Sequence, residues 1–220
     1  MTFKRARNDE QREARRQAIL DTAAAMLGEM PVAELSLNEL SRRVGLAKSN
    51  VLRYFESREA VLLELLDYFL QTWVAELPAE LAAGIDATLP AEARSEQLAD
   101  VLSRSLAGRV ALCDLFGAQG GVLEHNVSID VVLRHKRASL DALRTMVGLI
   151  KHHLPEVGDG AQTVCLQTML MAGTLSAYCP PPAGVLAAYE TEPALFTLQL
   201  DLRVSLRLAI ITGILGALPR

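Results

Sequence analysis

Between Lys48 and Arg58 the chain places cationic, amide and phenolic side chains at spacings that suit nucleic acid. In GLAKSNVLRYFESR, residues 45–58, basic groups stand at 48, 53 and 58, with Asn50 and Tyr54 among them. Lys and Arg neutralise phosphates or reach guanine O6 and N7, Asn pairs bidentately with adenine, and a tyrosine hydroxyl donates to phosphate. Read as a helix over about 48–55, the segment turns Ala47, Val51 and Phe55 inward onto Leu40, Val44 and Ile19. Lys48, Ser49, Asn50, Leu52, Arg53 and Tyr54 then face outward, and Leu52 could touch a thymine methyl. Arg58 begins the next helix, where backbone N–H groups also favour an anion. A basic amphipathic helix by itself is more often a solvated face, so the flanking elements must decide.

Those elements are punctuated clearly. Residues 9–29 set Ile19, Ala23, Met26 and Leu27 on one stripe, ended by Gly28 and Pro31. Ser36-Leu37-Asn38-Glu39 reads as a capping box: the serine hydroxyl meets an early backbone N–H and Glu39 reaches back. The short helix it opens, 37–43, stops at Val44-Gly45, and glycine suits a sharp turn needing positive φ. Two short helices joined at such a glycine have the layout of a helix-turn-helix. Ser57 starts a longer helix through Trp73 to near Leu77, with Pro78 and Gly84-Ile85-Asp86 as a break. Further helices are expected at 92–107, 109–118, 127–153, 161–178 and 193–217, with Asn126 capping the third of them. No alternating run suggests a sheet and no repeat is evident, so the expected fold class is all-α.

Charge is divided along the chain. Residues 1–60 hold 11 of the 22 Lys and Arg against 9 of the 26 acids, a net of +2. The remaining residues carry −6, which disfavours a polyanionic ligand there. Half the residues are hydrophobic, which excludes a disordered tail. Cys113, Cys165 and Cys179 are widely spaced and odd in number, as expected of a reduced interior. The stretch 208–218 is about half the ~20 residues a membrane span needs, and MTFKRARNDE has no apolar signal core. A cytoplasmic protein is expected.

Catalytic patterns are missing from the sequence. His125, His135, His152 and His153 form no HExxH, and no Walker, GxSxG or dinucleotide loop occurs. Neither an enzyme nor a bound cofactor or metal is expected. A helical adaptor without specific DNA binding is the alternative to a DNA-binding protein.

SLNELSRRVGLAKSNVLRYFESREAVLLELL resembles the DNA-binding domain of the tetracycline-repressor (TetR) family. The resemblance runs over about 12–66 and rests most on Gly45, Phe55 and Arg58-Glu59-Ala60-Val61-Leu62. It implies a helix-turn-helix domain over 1–60, with a basic arm at 1–8 carrying Lys4, Arg5 and Arg7, and a helical regulatory domain over 61–220. It further implies that Ser36 and Asn38 meet phosphate, that Lys48, Ser49, Asn50, Arg53 and Tyr54 face the groove, and that Arg58 meets phosphate. Two departures stand out. Ala47 replaces a frequent capping serine, a loss of roughly 0.5–2 kcal/mol, and Leu52 replaces a phosphate-contacting tyrosine.

The same resemblance implies a ligand-responsive dimeric regulator, most simply a repressor, that reads a palindromic operator and is released by an apolar small molecule. The last two helices would form the dimer interface, through Thr168 and Ala172 on one and Leu198, Leu202, Leu206, Ala209 and Gly213 on the other. The alternative is that these stripes close the chain's own core. An effector pocket would draw on Trp73, Phe116, Gln119, His125, Met146, Met169 and Tyr178, against ordinary core packing for each.

Overall fold

A computed structural model describes residues 2–219, with side chains described from Glu10 onward. The described residues form ten α-helices and no strand. They run as α1 (Thr2–Leu27), α2 (Leu37–Val44), α3 (Lys48–Val51), α4 (Arg58–Gly84) and α5 (Ala91–Ala107), then α6 (Val110–Ala118), α7 (Ile129–His153), α8 (Ala161–Ser176), α9 (Ala183–Thr191) and α10 (Leu202–Ala217). The all-α architecture, an N-terminal helix-turn-helix followed by a larger helical body, is the one expected.

The long helix α4 joins the two parts. Ser57 caps it, accepting from the Ala60 N–H at 3.1 Å, and Leu62, Leu66, Trp73 and Leu81 are wholly buried along it. The expected break at Pro78 does not occur, because α4 continues to Gly84. Proline removes one backbone bond and crowds the preceding turn, but Leu77 and Leu81 on either side are buried, and their packing holds the helix. The Trp73 indole donates to Ser105 Oγ at 2.9 Å, tying α4 to α5.

Around α4 the body closes through α7, α5 and α6, while α10 packs on α5 and α8, and α8 packs on α6. The α6–α8 crossing is close. A Cβ on Gly173 would stand 2.5 Å from the Gly117 nitrogen, so only glycine permits this approach. Cys113 and Cys165 lie in this core, and burial pushes each thiol up to about 12, which leaves them inert packing groups.

Two boundaries differ from expectation. Ser128, not Asn126, caps α7, accepting from the Val131 N–H at 3.4 Å; Asn126 instead takes a positive φ of 58° in the preceding turn. The final helix starts at Leu202 behind an Asp201 cap, at 2.8 Å from the Val204 N–H. Residues 193–198 form a separate 3-10 turn, so Leu198 is not on α10.

Together with α9 that turn makes an arm. Its base is pinched where the Cys179 thiol donates to the Leu200 carbonyl at 3.3 Å. None of the residues of α9 or of Pro193–Leu198 is buried, although Val185, Leu186 and Phe196 are large and apolar. Among the described residues no helix is long and apolar enough to cross a membrane.

Candidate nucleic-acid interface

Backbone chemistry sets the angle between α2 and α3. Ser36 Oγ accepts from the Glu39 N–H at 3.2 Å, the first half of the expected capping box. The second half is absent. Glu39 turns along its own helix and accepts from Arg42 at 2.6 Å and 2.9 Å and from Arg43 at 2.9 Å. Those hydrogen bonds, from Arg42 first and Arg43 next, hold the Glu39 carboxyl down to about 2. Arg43 also pairs with Glu29, so these two cations of α2 are already partly neutralised.

At the other end of α2, Gly45 takes a left-handed conformation, φ 73° and ψ 29°. Its N–H donates to the Arg42 carbonyl at 3.3 Å and the Leu46 N–H to the Ser41 carbonyl at 3.0 Å, a Schellman closure. Gly45→Ala is expected to cost about 1–2 kcal/mol, the penalty for a β-carbon in this region. Urea unfolding checks it; an unchanged midpoint would show that the turn tolerates another conformation.

α3 then starts without a side-chain cap at Ala47, as its sequence implies. Regular α-helix ends at Val51, but helical-turn bonds continue through Tyr54 N–H to Val51 at 2.9 Å and Phe55 N–H to Val51 at 3.1 Å. Val51 and Phe55 are buried with Leu40 and Ile19, as their spacing predicts. Ala47 is exposed, because it precedes the helix rather than lying on its inner face. Arg16 lies over the Phe55 ring, 4.8 Å from its centroid, and bonds Glu64 of α4. The end of α3 is thereby fixed against both long helices.

This frame leaves one outward face. Lys48, Ser49, Asn50 and Arg53 are exposed on it, Leu52 is 41 % exposed, and Tyr54 is half-buried against the core. Ser36 and Asn38 are exposed at the start of α2. Arg58 does not join them. Its guanidinium turns inward and donates to the carbonyls of Val32 and Leu35, with Glu59 3.3 Å away. The loop before α2 comes back over the start of α4, and Arg58 supplies the donors for it. The basic side chains of the expected arm, Lys4, Arg5 and Arg7, lie outside the described residues; the backbone there is part of α1.

Polar ties join this head to the body. The Val32 N–H donates to Asp114 of α6 at 2.6 Å, and the Ser128 N–H at the start of α7 donates to Glu56. The segment between those two points contains a π-helical turn, Gln119–Leu123. There His135, 1 % exposed, makes a 2.6 Å bond to Asp67 through Nδ1. Its Nε2 lies 3.0 Å from the Gln119 amide nitrogen. Together these contacts imply the Nδ1–H tautomer.

Of the expected pocket residues, the structure brings Phe116, Gln119 and Met169 together. They line a cavity of ≈ 360 Å³ opening between α7 and α8. Lys136, Ser139, Leu140 and Leu143 also line it and were not anticipated. Trp73 and Met146 are core residues, Trp73 reaching only a different cavity beside Arg109. His125 is exposed, and Tyr178 is 61 % exposed on a cleft next to Arg58 and Asp114.

The expected dimer residues divide as well. Thr168, Ala172 and Leu206 are buried inside the chain's own core, so they present no outward surface. Leu202 and Ala209 are half-buried, and a Cβ on Gly213 would meet Gln167 at 2.6 Å. The other sides of these helices are the exposed ones, with Leu166 and Leu170 on α8 and Val204, Leu208 and Leu215 on α10.

Comparison with known proteins agrees with this arrangement. Residues 19–65 match the family model described as bacterial regulatory proteins, tetR family, and residues 67–220 match tetracyclin repressor-like, C-terminal domain. The HTH-type transcriptional regulator EthR of Mycobacterium tuberculosis, and that of Mycobacterium bovis, are each 43% identical over 53 residues. That stretch is 24% of this chain and 24% of each relative, so the chain spans about a quarter of the length of the curated relatives it matches. A solved structure titled as a TetR transcriptional regulator from Rhodococcus sp. RHA1 aligns with a TM-score of 0.48 at 13% identity, over 93% of this chain and 97% of that one. The two family models together take in nearly all of the chain from residue 19 onward, and the chain belongs to the TetR family of bacterial transcriptional regulators.

Proposed function

We propose that the chain is a dimeric repressor that reads an inverted-repeat operator through α3 and is released by a small apolar effector. Residues 1–60 act as the DNA-binding head and residues 61–220 as the regulatory and dimerisation body. The observation that carries the reading is the outward face of α3. Lys48, Asn50 and Arg53 are exposed there, with no acidic partner among the described residues. Arg42, Arg43 and Arg58 are all paired. Lys48, Ser49 and Tyr54 serve phosphates, with Ser36 and Asn38 beside them, while Asn50 and Arg53 read base edges and Leu52 meets a thymine methyl. Selection from a random DNA pool tests this. An inverted repeat should emerge, with half-sites spaced for two heads one helical turn apart.

Dimerisation uses the outer faces of α8 and α10. Val204 and Leu208 stand four apart, with Leu215 following on the same side of α10, and Leu166 and Leu170 stand four apart on α8, where they also border the α7–α8 cavity; exposed apolar side chains of this kind favour association. The exposed arm adds to it. Leu208, 64 % exposed, is the discriminating position. Leu208→Glu should weaken self-association at least tenfold, about 1.4 kcal/mol, without unfolding the chain, as sedimentation equilibrium would show. Unchanged association would place the interface elsewhere.

Release works through the ties between body and head. An effector in the α7–α8 cavity sits against Gln119, which bonds Glu124 at 2.7 Å and, through His135, connects to Asp67 on α4. Differential affinity for two arrangements of α4 and the α6–α7 corner would change the spacing of the heads.

A further inference from the structure

We propose that the α7–α8 cavity takes an uncharged amphiphile of roughly a dozen non-hydrogen atoms, with a single hydroxyl or amide head held at Gln119. The inference rests on the reading of this cavity as the effector site. Its walls are apolar over most of their extent, including Leu66, Leu70, Phe116, Leu143 and Met169. Polar groups come only from Gln119, Lys136 and Ser139, which a single apolar body could keep at one end. The ≈ 360 Å³ available corresponds to about twelve non-hydrogen atoms at the ~30 Å³ that liquid water takes per molecule.

The charges around that end are already matched. Lys136 pairs with Glu124, Glu124 also accepts from Gln119, and Asp67 lies behind His135. A carboxylate head would have to share Lys136 with Glu124, setting two like charges side by side. A cationic head would have to compete with Lys136 for Glu124, setting two like charges side by side. An uncharged head does neither.

Hydrogen-bond capacity narrows the class further. The Gln119 amide nitrogen is committed to Glu124 at 2.7 Å and faces His135 Nε2 at 3.0 Å, so what it can still offer a ligand is its carbonyl oxygen. Among the described residues that oxygen and the Ser139 hydroxyl have no hydrogen-bond partner. Neither is sealed in the core; among the described residues the buried polar side-chain atom without a partner is Thr168 Oγ1. A head that donates to Gln119 and accepts from Ser139 satisfies both. Hydroxyl and amide groups can do so, whereas a carboxylate has nothing to donate.

The test uses the full chain and the neutral fluorophore 1-aminonaphthalene, which is within the size the cavity admits, as a reporter of occupancy. 1-Decanol, decanoate and decylamine then compete at neutral pH, where the last two are charged. Decanol is expected to displace the fluorophore at a concentration about tenfold lower than either charged homologue. Gln119→Leu should reduce that advantage to about threefold or less while uptake of the fluorophore persists. Leu140→Trp, on the half-open rim, should block uptake. If the fluorophore does not bind, or binds equally to Leu140→Trp, the cavity is not the effector site and the underlying reading fails. If it binds and is blocked, but decanoate or decylamine displaces it best, the cavity stands and the uncharged class is wrong. A decanol advantage that survives Gln119→Leu overturns the assignment of the head to Gln119.

Discussion

Arg53→Ala is expected to cost the dimer about 2–6 kcal/mol on its selected DNA site, because one bidentate Arg–guanine contact is worth about 1–3 kcal/mol and the operator offers two. The substitution touches nothing in the fold. Arg53 is exposed, and the α3 backbone is held by Val51, Phe55 and the Gly45 turn instead. The loss should fall on the selected site and spare unrelated DNA, so the ratio of the two affinities is the quantity to measure. Lys48→Ala should behave differently, weakening all sequences alike and lowering the salt slope by about one ion per protomer. Equal loss of discrimination from both would end the division between base reading and phosphate contact.

Arg58→Ala is expected to act on the fold. Its guanidinium donates to the carbonyls of Val32 and Leu35, residues that are each 1% exposed. A hydrogen bond from a charged donor is worth about 1.5–3 kcal/mol, and removing the donor leaves sheltered carbonyls unsatisfied. Water can reach part of the gap, so a total of about 3 kcal/mol is expected, a fall in Tm of roughly 6–12 °C for a chain of this size. Arg58→Lys should recover little, since one ammonium cannot reach two carbonyls with the guanidinium's fork. If Arg58→Ala left Tm unchanged and weakened binding to every DNA sequence, Arg58 would be the phosphate contact that the family resemblance implies.

What was legible in the sequence was what depends on neighbours along the chain. The Ser36 cap, the Gly45 turn and the inward set Ile19, Leu40, Val51 and Phe55 all follow from local backbone chemistry and helical spacing. Roles that depend on distant partners were not legible. Arg58 looks like any basic residue at a helix start until the Val32–Leu35 loop is seen lying across it. Asp67, Gln119 and His135 form one network from positions 68 and 16 residues apart, which no spacing announces. Pro78 signals a helix end in sequence, but the buried Leu77 and Leu81 prevail.

The body shows a further limit. Both faces of α8 and α10 are apolar, so periodicity picked out the stripe with Thr168, Ala172 and Leu206, which closes the monomer core. Leu166, Leu170, Val204 and Leu208 lie on the other side. Sequence pattern identifies that such helices have two customers for their apolar surface but not which face serves which. Helix α9 escaped notice for a related reason: its residues carry no burial periodicity, because none of them is buried.

Everything proposed for this protein depends on the outward face of α3 binding specific DNA as part of a dimer. Titration of the intact protein against its selected inverted repeat, across a range of salt, tests it most directly. One dimer per repeat should bind tightly, with log affinity falling linearly and steeply in log salt and markedly weaker binding to scrambled DNA. Binding with neither sequence preference nor salt slope would contradict it, and would leave the chain a helical interaction protein that keeps the family's fold without its DNA contact.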